Sequence, residues 1–235
     1  MVDTDTAGVY SCALSGDDSA DFSASTTGKV CTVVFAANPN YESPADANTD
    51  NVYQLTITFS DGTNTQAHNT AITVTDVNDQ TPTYTITTAT PSIAEGTSTV
   101  ETVSITDTDT GDNNACTLGG ADAADFTCTV SATQYVLAFA ATPNYESPVD
   151  ADTDNEYVVT VTISDGTNTG ATVTYSAITV TDVNDQTPAV TVPSTYNHPE
   201  AGATTFQAYT MVDTDTAGVY SCALSGDDSA DFSAS

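Results

Sequence analysis

The chain repeats itself on two length scales, and this repetition limits the folds open to it. Residues 211–235 reproduce residues 1–25 without a change, which defines a period of 210 residues. A shorter period lies within it, because PNYESP and DGTN recur after 104 residues and VTDVNDQTP recurs after 106. A unit of about 105 residues is too long for a solenoid repeat and has the size of one β-sandwich. The sequence therefore predicts sandwiches in tandem.

The pattern within each unit is that of β-strands. Segments such as QLTITFSDGTN and YVVTVTISDGTN alternate apolar and polar residues and then enter a turn that contains glycine. Hydrophobic residues make up 39% of the chain, which is too many for a disordered segment of high charge. No apolar run reaches the roughly 18 residues of a membrane-spanning helix. The sequence predicts an all-β fold.

The phase of the repeat sets the expected domain boundaries. Residues 82–187 are predicted to form one complete domain, residues 1–81 a domain that lacks its first strand, and residues 188–235 the N-terminal part of a further domain. One interpretation is a window cut from a longer array. Another is a short protomer whose incomplete ends complete each other between molecules. The two end segments have the same sequence, so both would compete for the same position in a neighbouring protomer. This favours a window cut from a longer array.

The charge is strongly and unevenly acidic. The chain has 32 acidic residues and one basic residue, Lys29, for a formal net charge of −31. This excludes electrostatic binding to nucleic acid or to an anionic membrane. Aspartates outnumber glutamates by 26 to 6 and lie in turn-like segments such as DTDT and DADTDN. Short carboxylates in loops are typical ligands of hard cations, so bound cations are favoured over a merely solvated acidic surface.

Five acidic motifs recur in the same order in successive units. They are a glutamate after the first strand, D-x-D after the second, then N-Y-E, S-D-G, and finally D-x-N-D at a strand exit. Together these motifs resemble the cadherin repeat and are similar to the cadherin-like domains of large bacterial surface proteins. The resemblance covers the whole chain. It implies tandem seven-stranded Greek-key sandwiches joined end to end, with calcium ions at the joints.

The resemblance also implies a ligand set for each joint. The first joint would use Glu42, Asp76, Asn78, Asp79, Asp107, Asp109 and Asp165, with Asn114 as a backbone ligand. The second would use Glu95, Glu146, Asp182, Asn184, Asp185, Asp213 and Asp215. Where the family usually has an acid two residues before the N-Y-E glutamate, this chain has Asn40 and Asn144. That change removes a charge and is expected to weaken one ion position per joint.

A second acidic cluster follows the N-Y-E motif. Asp150, Asp152 and Asp154 have the alternating spacing of a calcium loop, whereas Asn48 replaces the middle aspartate in the corresponding loop of the first unit. A separate calcium site is expected in both loops, with solvated turns as the alternative. Each D-x-N-D segment could likewise be an Asx-rich turn. That alternative does not explain why the other four motifs recur with it.

The five cysteines predict disulfides within single domains. Cys12 is expected to pair with Cys31 and Cys116 with Cys128, while the partner of Cys222 would lie beyond residue 235. No C-x-x-C motif is present, which argues against zinc. Disulfides indicate a setting outside a reducing cytoplasm.

The expected function is structural. The sequence shows no nucleophile elbow, phosphate-binding loop or catalytic His/Asp/Ser grouping, so an enzyme is not expected. The favoured role is a calcium-rigidified segment of an extracellular filament or cell-surface rod. The alternative is the stalk of a calcium-dependent adhesin. Expected partners are neighbouring copies of the repeat, with other cell-surface proteins or glycans as further candidates.

Overall fold

The alternating segments form strands in a computed structural model that describes residues 8–111, 113–202, 207–216 and 218–234. The predicted all-β sandwich fold is confirmed. The strands are β1 (Ser11–Ser15), β2 (Phe22–Thr27), β3 (Val30–Phe35), β4 (Val52–Ser60), β5 (Thr65–Thr73), β6 (Thr83–Tyr84), β7 (Ser92–Ala94), β8 (Thr99–Thr106), β9 (Ala115–Gly119), β10 (Phe126–Val130), β11 (Gln134–Phe139), β12 (Glu156–Ser164) and β13 (Val173–Thr181). Short 3-10 helices span Ser19–Asp21, Ala123–Asp125 and Ser229–Asp231.

The chain divides into two units. Unit 1 comprises Met1–Thr81 together with Asp107–Asp112, and unit 2 comprises Pro82–Thr106 together with Asn113–Ser235. The short segment Asp107–Asp112 carries the D-x-D motif. It therefore belongs to unit 1, although the strand before it, β8, belongs to unit 2.

Unit 2 contains a sandwich of two four-stranded sheets. Their strand orders are β10-β11-β8-β6 and β7-β13-β12-β9, and only β7 pairs in parallel, with β13. Strand β12 shows why the sequence folds this way. Its alternate residues Tyr157, Val159, Val161 and Ile163 are at most 1% exposed and enter the core between the sheets.

Unit 1 has a smaller sandwich in its described residues. One sheet has the order β1-β4-β5 and the other pairs only β2 with β3. Its buried apolar side chains are Phe22, Tyr53 and Leu55, with Phe35 packed against them. Counterparts of β6, β7 and β8 are not found among the described residues of this unit. Its core is therefore much smaller than that of unit 2.

A polar network extends from the unit 2 core to its surface. The hydroxyl of Tyr175, which is fully buried, donates a 2.6 Å hydrogen bond to Glu101 and lies 3.4 Å from the hydroxyl of Tyr135. Glu101 also accepts a 2.7 Å bond from the backbone N–H of Thr87. Burial raises the pKa of Tyr135 to about 12, so its hydroxyl stays protonated at neutral pH.

Downstream of β13 the described residues form little regular structure. An isolated antiparallel bridge joins Ala189 to Val212, and the 3-10 helix Ser229–Asp231 repeats the helix Ser19–Asp21. Residues 1–7, which repeat residues 211–217, lie outside the described part of the chain. The predicted boundaries at residues 81 and 187 stay predictions.

Both predicted disulfides are confirmed. Cys12–Cys31 joins β1 to β3, and Cys116–Cys128 joins β9 to β10, so each bond connects the two sheets of its own sandwich. The second cysteine of each pair lies on a different strand, β3 in unit 1 and β10 in unit 2. Cys222 is exposed and forms no disulfide.

Reduction is expected to destabilise both sandwiches. The bonds close sequence separations of 19 and 12 residues, for which the chain-entropy account gives about 3 kcal/mol each. Non-reducing peptide mapping should recover the two linked pairs, and denaturant titration should show the loss after reduction. Free thiols at these four positions in oxidised protein, or unchanged unfolding after reduction, would contradict the pairing.

Candidate calcium-binding groups

Each D-x-N-D segment comes shortly after the end of a long strand. In unit 1, β5 ends at Thr73 and Asp76 lies three residues beyond it; in unit 2, β13 ends at Thr181 and Asp182 follows directly. Past the strand end, the backbone amides no longer have ladder partners and must find others. Both segments meet loops that lie about 30 residues away in sequence.

Three carboxylates converge in unit 1. One oxygen from each of Glu42, Asp79 and Asp109 lies within 4.8 Å of the others. Asp109 is buried, and its Oδ2 accepts a 2.7 Å hydrogen bond from the backbone N–H of Gln80. The D-x-N-D segment and the D-x-D loop are therefore already in contact within unit 1.

Several oxygens of these residues are left without partners. We call Glu42, Asp76, Asp79, Asp107 and Asp109 the first acidic group. Within the described part of the chain, four of its oxygens are buried and lack a hydrogen-bond donor: Glu42 Oε1, Asp76 Oδ1, Asp107 Oδ2 and Asp109 Oδ1. Buried carboxylate oxygens without donors are costly. A hard divalent cation would satisfy them, so these residues fit the metal that the motifs imply.

Unit 2 contains an equivalent arrangement. One set of converging oxygens comes from Glu95, Glu146 and Asp182, and another from Glu146, Asp185 and Asp215. Glu146 belongs to both sets, and both of its oxygens are buried and unpartnered. With Asp213, whose Oδ1 accepts a 3.3 Å bond from the N–H of Asp215, these residues form the second acidic group.

The same hydrogen bonds organise both groups. The N–H of Gln80 donates to Asp109, and the N–H of Gln186 donates to Asp215 at 2.8 Å. In the same way, the N–H and hydroxyl of a threonine donate to the first aspartate of D-x-N-D: Thr110 to Asp76 and Thr216 to Asp182. In both groups the other oxygen of each accepting aspartate is buried and unpartnered: Asp109 Oδ1, Asp215 Oδ1, Asp76 Oδ1 and Asp182 Oδ1. The pattern therefore recurs atom by atom.

Glu95 has a structural role that its sequence motif alone does not predict. Its Oε1 accepts a 2.7 Å bond from the N–H of Val183, and its Oε2 accepts a 2.8 Å bond from the N–H of Tyr145. The side chain thus connects the end of β7 to the exit of β13 and to the N-Y-E loop. This positions Glu146, the residue after Tyr145, beside Asp182.

Charge crowding shifts the pKa values of the two N-Y-E glutamates. A backbone hydrogen bond acts to lower the pKa of Glu42, but desolvation and the charges of Asp79 and Asp109 outweigh it and raise the pKa. Desolvation, followed by the charges of Glu95, Asp215 and Asp185, raises the pKa of Glu146. Hydrogen bonds from the Thr110 side chain and backbone lower the pKa of Asp76. A nearby cation would favour the ionised form of both glutamates.

The remaining residues of the predicted joint sets are placed as follows. Asn114 and Asp165 lie in unit 2. The side chain of Asn114 donates to the carbonyls of Ser131 and Ala132, and Asp165 is buried with its Oδ1 accepting from the N–H groups of Thr167 and Asn168. Asn78 is half-buried and Asn184 is exposed. A metal-ligand role for these four residues stays a prediction.

The second cluster forms a fourth convergent set. One oxygen from each of Asp150, Asp152 and Asp154 lies within 4.8 Å of the others. Asp150 is buried, whereas Asp152 and Asp154 are exposed. The charge of Asp154, with partial desolvation, raises the pKa of Asp152. The chain's only lysine or arginine is Lys29, in unit 1 and 5.1 Å from the ring of Tyr10, so unit 2 supplies no basic side chain of that kind.

Some aspartates serve the backbone instead. Asp122 is 4% exposed, and its two oxygens accept hydrogen bonds of 2.8 and 2.7 Å from the N–H groups of Ala151 and Val158. Asp18 makes the equivalent bonds to Ala47 and Gln54 in unit 1. The aspartates of this chain therefore have two roles: some converge as candidate metal ligands, and others accept hydrogen bonds from the backbone. The sequence analysis assigned Asp18 and Asp122 to neither role. The recurring pattern G-x-D-x-A-D-F was the signal available for them.

The fold matches that of cadherin extracellular domains. A protocadherin gammaB7 structure, of extracellular domains 3–6 as a cis-dimer, aligns with a TM-score of 0.56 and 21% identity over 90% of this chain and 50% of that chain. Domains 3–6 of protocadherin gamma B2 align with a TM-score of 0.53 and 20% identity over 90% of this chain and 49% of that chain. Domains 1–2 of human protocadherin-24 align with a TM-score of 0.54 and 19% identity over 74% of this chain and 82% of that chain.

These likenesses establish cadherin-like domains at the level of fold. The chain spans about half the length of the two gamma protocadherin structures that it matches. No known family model matches the sequence. In the part of the chain that the structure describes, no helix has the length and hydropathy to cross a bilayer. The bacterial setting implied by the motifs stays a prediction.

Proposed function

We propose that this chain is a calcium-rigidified, tandem-repeat segment of an extracellular filament or cell-surface rod. The observation that carries the proposal is the recurrence of three buried, unpartnered carboxylate oxygens at equivalent positions of the two acidic groups: Oε1 of Glu42 and Glu146, Oδ1 of Asp76 and Asp182, and Oδ1 of Asp109 and Asp215. A solvated acidic surface has no need to bury such oxygens, and an Asx-rich turn would satisfy them with its own amides. Two disulfides and the likeness to extracellular domains support a setting outside the cell.

The residues would act by holding a cation between segments that are distant in the sequence. Bound calcium would supply positive charge that a single lysine cannot provide. In the first acidic group, Asp76 and Asp79 follow β5, whereas Asp107 and Asp109 follow β8. A cation bound by both pairs ties the exit of one strand to the exit of the other. Such a tie would hold the D-x-D loop against the D-x-N-D segment within unit 1.

Calcium is expected to raise the midpoint of thermal unfolding specifically. Cations bind the folded groups better than the unfolded chain, so a concentration of about ten times Kd adds roughly 1.4 kcal/mol per site by linkage. Magnesium should substitute poorly, because it requires a tighter octahedron and retains its waters. The measurement is a melting series in calcium, magnesium and sodium chloride at matched ionic strength. An equal rise in sodium chloride would mean general charge screening and would overturn the proposal.

An adhesive role is the second candidate. One of the structures that share this fold is a cis-dimer of protocadherin gammaB7, which favours contact with copies of the same repeat. A stalk that presents a binding module would remain single in purified full-length material, whereas a filament would show lateral or end-to-end assembly in calcium. Electron microscopy with and without chelator separates the two. In neither candidate do the acidic groups serve catalysis.

A further inference from the structure

The loops 46–51 and 150–155 share two positive-φ positions but have different central residues. Each loop places two non-glycine residues at positive φ, Thr49 and Asn51 at 57° and 63°, and Thr153 and Asn155 at 62° and 64°. Each is fixed to its sandwich by the corresponding buried aspartate, Asp18 or Asp122. The two loops therefore form a natural matched pair that differs in the middle acceptor, Asn48 or Asp152.

The loop of unit 1 satisfies its own carboxylates. The side-chain amide of Asn48 donates a 2.9 Å hydrogen bond to Asp50 Oδ2. Asp46, which is 3% exposed, accepts on both oxygens: 2.8 Å from the N–H of Asp50 and 3.3 Å from the N–H of Asn51. An amide thus occupies the position where a cation would otherwise have to neutralise two carboxylates.

The loop of unit 2 leaves one buried carboxylate oxygen unsatisfied. Asp150 is also 3% exposed, and its Oδ2 accepts a 2.8 Å bond from the N–H of Asp154. Its Oδ1 is buried and has no hydrogen-bond partner in the described structure. Asp152 replaces the donating amide with a third carboxylate, so three acceptors converge within 4.8 Å. A buried carboxylate that has an orphaned oxygen and converges with two further carboxylates is an arrangement that a hard cation stabilises.

We propose that the loop 150–155 of unit 2 is a separate calcium site, and that the loop 46–51 of unit 1 is its metal-free counterpart. The ligand is a divalent cation coordinated by oxygens at alternate positions of one loop. Calcium is preferred over magnesium because it accepts an irregular set of oxygen ligands, whereas magnesium requires a near-ideal octahedron and retains its waters. The site lies within one sandwich. It is independent of the acidic groups proposed above and stabilises unit 2 even where those groups bind nothing.

Exchanging the central residue between the two loops, which replaces a carboxylate oxygen by an amide nitrogen or the reverse, provides the test. Asp152→Asn gives unit 2 the central residue of unit 1, and Asn48→Asp does the reverse. Each substitution has a folded precedent in the other loop, so both variants should fold. Calcium chloride is titrated to about 10 mM, above the affinity range of extracellular modules, into the full 235-residue chain and followed by ¹H–¹⁵N NMR. Magnesium chloride and sodium chloride at matched ionic strength are the controls.

In the wild type, the amide signals of residues 150–156 should shift with calcium in a saturable manner, and those of residues 46–52 should not. Asp152→Asn should abolish the shifts at 150–156, and Asn48→Asp should create them at 46–52. Signals at 150–156 that do not respond to calcium, or respond equally to sodium, overturn the site. The signals of Gln80 and Gln186 report on the acidic groups separately, so failure of the loop site and failure of the proposed function are distinguishable.

Discussion

Replacing Glu146 by glutamine is expected to weaken calcium binding at the second acidic group by at least about tenfold, the equivalent of one strong ligand. Glu146 is shared by two convergent sets, and both of its oxygens are buried and unpartnered. The amide of glutamine keeps the shape and removes the charge. The expected measurement is a calcium titration by calorimetry on the wild type and the variant.

The same variant is expected to have the opposite effect when calcium is removed. Glu146 is surrounded by the carboxylates of Glu95, Asp185 and Asp215, which raise its pKa together with desolvation. Removing this charge relieves repulsion, so the chelated variant should melt above the chelated wild type. Asp17→Asn, at an exposed carboxylate outside all the groups, is the control for net charge. A variant that melts lower than the wild type both with calcium and with chelator would contradict the ligand role of Glu146.

Replacing Asp122 by alanine is expected to destabilise unit 2 by about 3 kcal/mol, with or without calcium. The substitution leaves the N–H groups of Ala151 and Val158 without their acceptor at a buried position. For a domain of about 100 residues, this corresponds to a fall in the unfolding midpoint of roughly 10 °C or more. Differential scanning calorimetry in calcium and in chelator measures it.

The neighbouring Asp125 provides the matched control for that experiment. Desolvation and the charges of Asp122 and Asp150 raise its pKa, so its carboxylate is disfavoured where it stands. Asp125→Asn should therefore leave the midpoint unchanged or raise it. If the loss caused by Asp122→Ala disappeared in chelator, Asp122 would be acting through a metal and not through the backbone.

The sequence predicted the architecture well because the relevant signals are local and repeated. Period-two alternation in β12 and the spacing of the motifs require no knowledge of distant contacts. The different roles of Asp122 and Asp150 could not be predicted from such local signals. Both are buried aspartates in Asp-rich loops, and what separates them is whether backbone N–H groups reach both oxygens. Those donors include Val158, 36 residues from Asp122, so only the folded chain reveals them.

The loop comparison shows the same limit. From the sequence, Asn48 and Asp152 are both predicted to be oxygen ligands at the centre of a calcium-type loop. The structure shows that the Asn48 amide donates to Asp50 and so acts as a substitute for a cation. An asparagine in an acidic motif can act as an oxygen ligand of a cation or as an amide donor that replaces the cation. The orientation of its side-chain amide decides between these roles.

The two units differ in whether their sheet edges are covered by further strands. This difference determines at which positions proteolysis would expose unpaired strand edges. In unit 2, β8 covers the edge of β11 and β7 covers the edge of β13. Both covering strands precede the D-x-D loop. Within the described residues of unit 1, the equivalent edges of β3 and β5 have no partner strand. A protease that cleaves at a D-x-D loop separates a sandwich from its own covering strands, whereas cleavage near Pro82 leaves the strands of that sandwich together. Fragments of the first kind expose two unpaired edges and are prone to pair with one another, so calcium that protects the D-x-D loop would also protect against aggregation.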